Sequence, residues 1–368
     1  MNTIKIPWAK PVFFDKEKKY VLDALASTWI SGGPYVERFE KDFKTAIQSP
    51  FCVTTSNGTT ALFLAMIALG IGQGDEIIMP GFSFVAPANM AITLGARPIF
   101  VDVDPKTWCL DPAQLEAAVT RRTKAVCAVH MYGNVCDMKA ITQICRKHRL
   151  LLIEDTAESM FSRYDGRYAG TFSDAGIFSF QATKTLTMGE GGCIALKDKR
   201  LFEKMTVIRN HGMNRKRFYW HTQIGHNFRL TNLQAAVGCA QLERADRILN
   251  DRKRVYKTYQ KFLSAIPGIA LQEFESQVQP IVWAVALKID PRVFPSRDRL
   301  MARMLKKGIE TRPGFYPFAT MPVYRKYTDK RLTVSLETGA RVLSLPSFPQ
   351  LKEEEIAQVC STLASLKK

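Results

Sequence analysis

Between residues 50 and 196 short apolar runs alternate with stretches of helical spacing, and this alternation limits the possible folds more than any other feature. The runs 51–54, 76–79, 97–101, 125–129 and 150–153 have strand length, and most carry few polar alternates, as strands buried on both faces do. The segments 59–69, 85–94, 112–119 and 138–148 repeat apolar residues at helical intervals. Strands alternating with helices predict an α/β fold built on a mostly parallel, doubly wound sheet. Ligands of such a sheet gather at the carboxyl ends of its strands. Two further runs, 177–180 and 193–196, flank a glycine-rich bend, Gly189-Glu190-Gly191-Gly192.

Beyond the sheet, one long helical pattern runs over 232–263 and stops at Pro267-Gly268. A strand-like run follows at 280–287, then helices near 295–307 and 352–366. The expected organisation is a large domain over 1–249, opened by an arm of roughly 40 residues, and a smaller α+β domain over 250–368.

Composition narrows the function classes. No run of 18 apolar residues suggests a membrane span, and the first residues lack the apolar stretch of a signal peptide. Eight scattered cysteines without a CxxC pair read as reduced core thiols, which predicts a cytoplasmic protein. Five histidines without HxxxH spacing predict no metal site. The net charge of +18 concentrates in 197–218, 252–261 and 292–330. Recognition-helix, zinc-finger and RNA-binding aromatic signatures are absent, so no nucleic-acid partner is expected. A phosphate-bearing substrate suits the same positive field, as does a basic surface without a specific role.

Four local features carry chemistry. Lys184 lies on the bend between two core runs, where partial burial can strip its proton and make the amine a nucleophile. A solvated lysine in a hairpin loop is the plain alternative. Ser56-Asn57-Gly58-Thr59 follows a strand and opens a helix, so free N–H groups and hydroxyls make an anion cradle or, more plainly, an N-cap. Asp155 ends a buried strand and needs a cation, either a ligand's or a structural partner's. Phe84 follows another strand with an aromatic face. Taken together, these are the parts needed to hold pyridoxal 5′-phosphate. Gly70-Ile71-Gly72-Gln73-Gly74 has a superficial dinucleotide-loop look but follows a helix, so it reads as a helix end and turn.

With these motifs in view, the sequence resembles the DegT/DnrJ/EryC1/StrS sugar aminotransferases, which share the fold type I aspartate-aminotransferase architecture. The resemblance rests on Ser56-Asn-Gly-Thr-Thr-Ala-Leu62, Val129-His-Met-Tyr-Gly133, Ile153-Glu-Asp-Thr-Ala-Glu158, Thr183-Lys184, Gly189-Glu-Gly-Gly192 and Gly225-His-Asn-Phe-Arg-Leu-Thr-Asn232. It implies that Lys184 forms the Schiff base and that Asp155 meets the pyridine nitrogen. Phe84 stacks on the ring and Glu158 lies near the phenolic oxygen. Ser179, Thr59 and the backbone of Gly58 hold the phosphate. Asn227 reaches the phosphate of a neighbouring subunit, which implies a homodimer with shared active sites. Arg229, Arg312 and Tyr316 are expected on the substrate side, with His130, His211 and His221 as further candidates.

Within the family, 219–236 and 312–317 are most like the perosamine enzymes. These aminate C4 of a nucleotide-linked 4-keto-6-deoxyhexose with glutamate as donor, in surface polysaccharide or natural-product sugar synthesis. One departure is Gln181-Ala182-Thr183, where those enzymes carry an aromatic-Gly-Asn triplet. A cyclitol or 3-keto sugar acceptor would use the same cofactor residues, as would a cofactor-binding regulator that contacts DNA.

Overall fold

In a computed structural model of the chain, which describes residues 4–214, 217–328 and 332–368, the apolar runs form one seven-stranded sheet. Its order is Phe51–Thr55, Gly192–Leu196, Ala175–Ser179, Leu151–Asp155, Thr123–Val129, Glu76–Pro80 and Arg97–Val101. Gly192–Leu196 is antiparallel to both its neighbours, and the other strands share one direction. Every residue of Glu76–Pro80, Ala175–Ser179 and Gly192–Leu196 is buried. That double-sided burial explains why these runs show no polar alternation.

The parallel direction puts the useful strand ends at one edge. Thr55 and Ser179 both lie opposite Gly192, and Asp155 lies opposite Ile177. The segments following Thr55, Asp155 and Ser179 therefore emerge side by side. Positions 215, 216, 329 and 330 of the basic stretches lie outside the described residues.

Two expectations need correction. The pattern over 232–263 is not one helix but two, Asn232–Glu243 and Ala245–Leu263, broken at Arg244 (φ −107°, ψ 11°). The two halves bury different kinds of face. Asn232–Glu243 buries small residues such as Ala235, Ala236, Gly238 and Cys239, and packs against Asp15–Ala26 and Pro34–Ala46 of the amino-terminal arm. Ala245–Leu263 is amphipathic, burying Ile248, Arg252, Val255, Tyr259 and Leu263 and packing against Glu353–Ser365. This second helix runs unbroken across position 249/250.

The run 280–287 likewise forms a strand only at Ala286–Ile289. Before it, the N–H groups of Ile281, Trp283 and Val285 donate to Ser162 Oγ (2.9 Å), Tyr132 O (3.1 Å) and Ser347 Oγ (3.0 Å). Side chains and loops satisfy this backbone in place of a neighbouring strand. Ala286–Ile289 then joins Ile269–Leu271, Val342–Ser344 and Arg312–Pro313 in a second, four-stranded sheet. A separate hydrophobic cluster packs there, from Tyr259, Leu287, Phe294, Leu343 and Leu363 among others. All eight cysteines are free and buried.

Candidate active site

A cavity of about 670 Å³ opens where the strand ends converge. Its wall includes Asn57, Gly58, Thr59, Phe84, Asp155, Glu158, Ser179 and Lys184, residues that the sequence singled out across more than 120 positions. This volume lies in the range of small-molecule and cofactor sites.

One end of the cavity is the start of the helix Gly58–Ala68. Asn57 is the N-cap: its Oδ1 accepts from Thr60 N (2.9 Å), and its own N–H donates to Thr60 Oγ1 (3.1 Å). The first N–H groups of a helix have no acceptor within it, so those of Gly58 and Thr59 are available to an anion. Ser179 closes the cradle from the end of Ala175–Ser179, one strand beyond Gly192–Leu196. It stands so near that a Cβ on Gly58 would lie 3.0 Å from the Ser179 Cβ. Beneath them, a Cβ on Gly192 would fall 2.3 Å from Asn57 O, so only glycine lets the loop cross the antiparallel strand there. The sequence left capping and anion binding as alternatives; Asn57 caps, and Gly58 and Thr59 beside it line the cavity.

The other end is acidic and dry. Asp155 is 5% exposed; burial lifts its carboxyl above the usual value, partly offset by the Ala157 N–H (3.1 Å) and by the charge of Lys184. Glu158, 4% exposed, is pushed up to about 7 by burial, against the pull of Lys184 and the Tyr132 N–H (3.0 Å). Burial also lowers the Lys184 amine from its usual value, opposed by Glu158 and Asp155. The amine lies 3.7 Å from Glu158 Oε1 and 3.8 Å from the centre of the Trp283 ring.

These features fit pyridoxal 5′-phosphate. The free amides and the Ser179 hydroxyl suit a phosphate, and a buried carboxylate held above its usual pKa is relieved by a cationic ring nitrogen. Phe84, 53% exposed and beside Phe315, offers an uncovered ring face. The depressed amine suits condensation with an aldehyde.

Several expected residues do not line this cavity within one chain. Ser56 does not line the cavity, because its Oγ is engaged with Thr60 Oγ1 (3.1 Å) and its N–H donates to Phe228 O (2.9 Å). Asn227 and Arg229 are exposed and joined to each other, Arg229 Nε donating to Asn227 Oδ1 (3.0 Å). Arg312 pairs with Glu310 (2.6 Å) and lies near the Trp8 ring. Tyr316 is half-exposed under the Arg297 guanidinium, next to Phe315, which does line the cavity.

His130 is not a pocket residue. It is fully buried, its Nδ1 accepts from Cys136 N (3.2 Å), and its Nε2 therefore donates to Glu154 (3.1 Å). His221 Nδ1 lies 2.9 Å from His211 O, and neither ring lines the cavity. Sequence reasoning missed Trp8, Trp283 and Phe315, all on the wall. Each arrives from the arm or the carboxyl-terminal part, where no periodicity marks a ligand-facing side chain.

Comparison with known proteins agrees with this geometry. The chain is 39% identical over 359 residues to a GDP-perosamine synthase of Escherichia coli O157:H7, covering 97% of each chain. Its fold superposes on the aminotransferase TlmJ from Streptoalloteichus hindustanus with a TM-score of 0.92 at 29% identity, over 98% of both chains. It superposes equally well (TM-score 0.92, 26% identity, 98% of this chain and 100% of the other) on an E. coli GDP-4-keto-6-deoxy-D-mannose-3-dehydratase with bound hydrated PLP. A family model matches residues 13–364, and the chain belongs to the DegT/DnrJ/EryC1/StrS aminotransferase family.

Proposed function

We propose that this protein is a pyridoxal 5′-phosphate-dependent aminotransferase that moves an amino group, with L-glutamate as donor, to a nucleotide-linked 4-keto-6-deoxy sugar. The carrying observation is the Lys184 amine itself, depressed by burial and set between Glu158 and the Asp155 strand end in a cavity that finishes in free helix amides.

In this reading Gly58, Thr59 and Ser179 hold the phosphate. Asp155 faces the ring nitrogen and keeps it protonated, Phe84 covers the ring, and Glu158 stands on the side of the phenolic oxygen. When bound, the cofactor supplies an aldehyde and an electron-accepting ring. Lys184 Nζ takes the proton from Cα of the amino donor and later returns one, and burial, which lowers its pKa, favours the free amine needed for that transfer.

The acceptor assignment draws on the similarity to a GDP-perosamine synthase and on the +18 charge, which favours a phosphate-bearing substrate. A homodimer is part of the proposal. Asn227 and Arg229 project outward with Phe218, Tyr219 and Ile224, which are 82%, 87% and 88% exposed, and a second copy gives them a cavity to complete. Arg312 and Tyr316 stand at the substrate side beside Trp8 and Phe315. Buried free cysteines suit the cytoplasm; among the described residues no helix is long and apolar enough to cross a membrane.

The test is a half-reaction series on the protein loaded with cofactor. After L-glutamate converts it to the amine form, return of the aldehyde-form absorbance is followed with GDP-, UDP- and dTDP-linked 4-keto-6-deoxyhexoses and with inososes. Return only with inososes refutes the substrate class. Absence of a borohydride-fixed adduct on Lys184 refutes the cofactor reading.

A further inference from the structure

Lys184 is held from outside its own loop. The segment before the strand Ala286–Ile289 carries Trp283 to the cavity, where the ring face lies 3.8 Å from Lys184 Nζ. The Trp283 indole N–H donates to Thr183 O (2.7 Å), tying the ring to the residue that precedes the lysine. Thr183 is fixed from the other side too, its N–H and hydroxyl both donating to Gln181 Oε1 (2.8 Å each). Behind the indole, the Tyr132 ring lies parallel within 5° at 6.4 Å, so the ring cannot tilt away without disturbing a stack.

Arg252 locks the arrangement. It is 5% exposed and reaches from the helix Ala245–Leu263, and among the described residues no carboxylate is hydrogen-bonded to it. It donates from Nη1 to Trp283 O (2.8 Å) and from Nη2 to Lys184 O (3.2 Å), while its Nε has no partner among the described residues. A buried cation without a counter-charge is costly. What this one does is join the backbone under the lysine to the backbone under the tryptophan.

We propose that Trp283 is a positioning residue for the Lys184 amine. Its ring face is the seat on which the protonated amine rests whenever the amine is not bonded to another group, and Arg252 fixes the distance between seat and lysine. This rests on the reading of Lys184 as the amine that carries the reaction, and it adds where that amine waits. An ammonium over an indole face is stabilised electrostatically, most strongly out of water. The charged and titratable groups around the amine are Glu158, Asp155 and Arg252, with Tyr132 behind the ring.

The test measures Lys184 directly in the full-length, cofactor-free chain, by competitive acylation across pH with peptide mass spectrometry. Removing the ring face (Trp283→Leu) lowers the midpoint of Lys184 ionisation by about one pH unit, the size expected of a desolvated cation–π contact. Trp283→Phe keeps a ring face and restores most of that shift, although it loses the indole N–H. A Trp283→Leu protein that melts like the parent and ionises Lys184 at the parental pH overturns the proposal.

Should Trp283→Leu fail to fold, the indole N–H resonance of Trp283 in the otherwise unaltered chain answers the question. It titrates with the Lys184 midpoint and is flat in Lys184→Met; a flat response in both overturns the seat. None of these readouts uses the cofactor, so failure of the cofactor reading shows separately, as absence of the borohydride-fixed adduct.

Discussion

Lys184 and Glu158 stand 3.7 Å apart at the dry end of the cavity, and burial drives both toward neutrality. Each opposes the other's shift, because their charges attract, yet for both the loss of water is the larger effect.

That balance makes a stability prediction with a definite sign. Glu158 holds its proton up to about pH 7 when folded, against an ordinary value of 4.5. A carboxyl raised on folding contributes stability that is complete below the unfolded value and is lost as pH climbs through the folded one. Above pH 7 the ligand-free chain therefore bears a burial cost on the order of 3 kcal/mol. Glu158→Gln, which can still accept from the Tyr132 N–H, is expected to stabilise that chain by roughly 1–3 kcal/mol at pH 8 and by nothing near pH 4. Urea titrations at the two pH values check this, and a pH-independent difference refutes it.

Replacing Lys184 by alanine is expected to abolish the borohydride-fixed adduct and to cut amino transfer by at least ~10²-fold, the lower range of general acid–base contributions. Cofactor binding should survive in part, because the cradle of Gly58, Thr59 and Ser179 is untouched. Full-rate transfer by Lys184→Ala ends the proposed mechanism.

Asp155→Asn removes the charge expected to face the ring nitrogen. Breaking a buried ion pair costs about 3–5 kcal/mol, so the cofactor dissociation constant should rise ~10²–10⁴-fold. Equilibrium dialysis measures it. Asp155→Glu keeps the charge but moves it by one methylene within the cavity, so it should restore part of the affinity. Unchanged retention in Asp155→Asn would place the cofactor's cation elsewhere.

Gly58→Ala tests the cradle. The new Cβ meets Ser179 at 3.0 Å, so either the strand end or the helix start must give. Cofactor affinity should fall at least ~10-fold, a change of about 1.4 kcal/mol. Melting of the ligand-free chain should move little, because alanine is the better helix former. A large drop in melting temperature with cofactor affinity intact would mark Gly58 as structural only.

Much of the α/β core was legible because its signals are local. Strands buried on both faces must be apolar throughout, and 97–101 and 138–148 appear at the expected bounds. Asn57 was recognisable as a cap and Lys184 as a lysine on a bend because neighbours in sequence decide those features. The break at Arg244 was not legible, since Asn232–Glu243 and Ala245–Leu263 read as one continuous helical pattern and only their packing partners differ. Trp283 looked like one apolar residue in a strand, and became a wall of the site because its backbone N–H went to Tyr132 O.

The sequence by itself determined the alternation that makes the sheet parallel, and hence that Thr55, Asp155 and Ser179 end at one edge. It also carried the chemistry of each group found there. Only the tertiary structure decided how far those groups lose their water, which sets the ionisation of Glu158 and Lys184. The approach of Trp283, Phe315 and Arg252 was likewise decided there. Desolvation and contact between residues 68 to 131 positions apart depend on how separate elements pack, and no short stretch of chain encodes that packing.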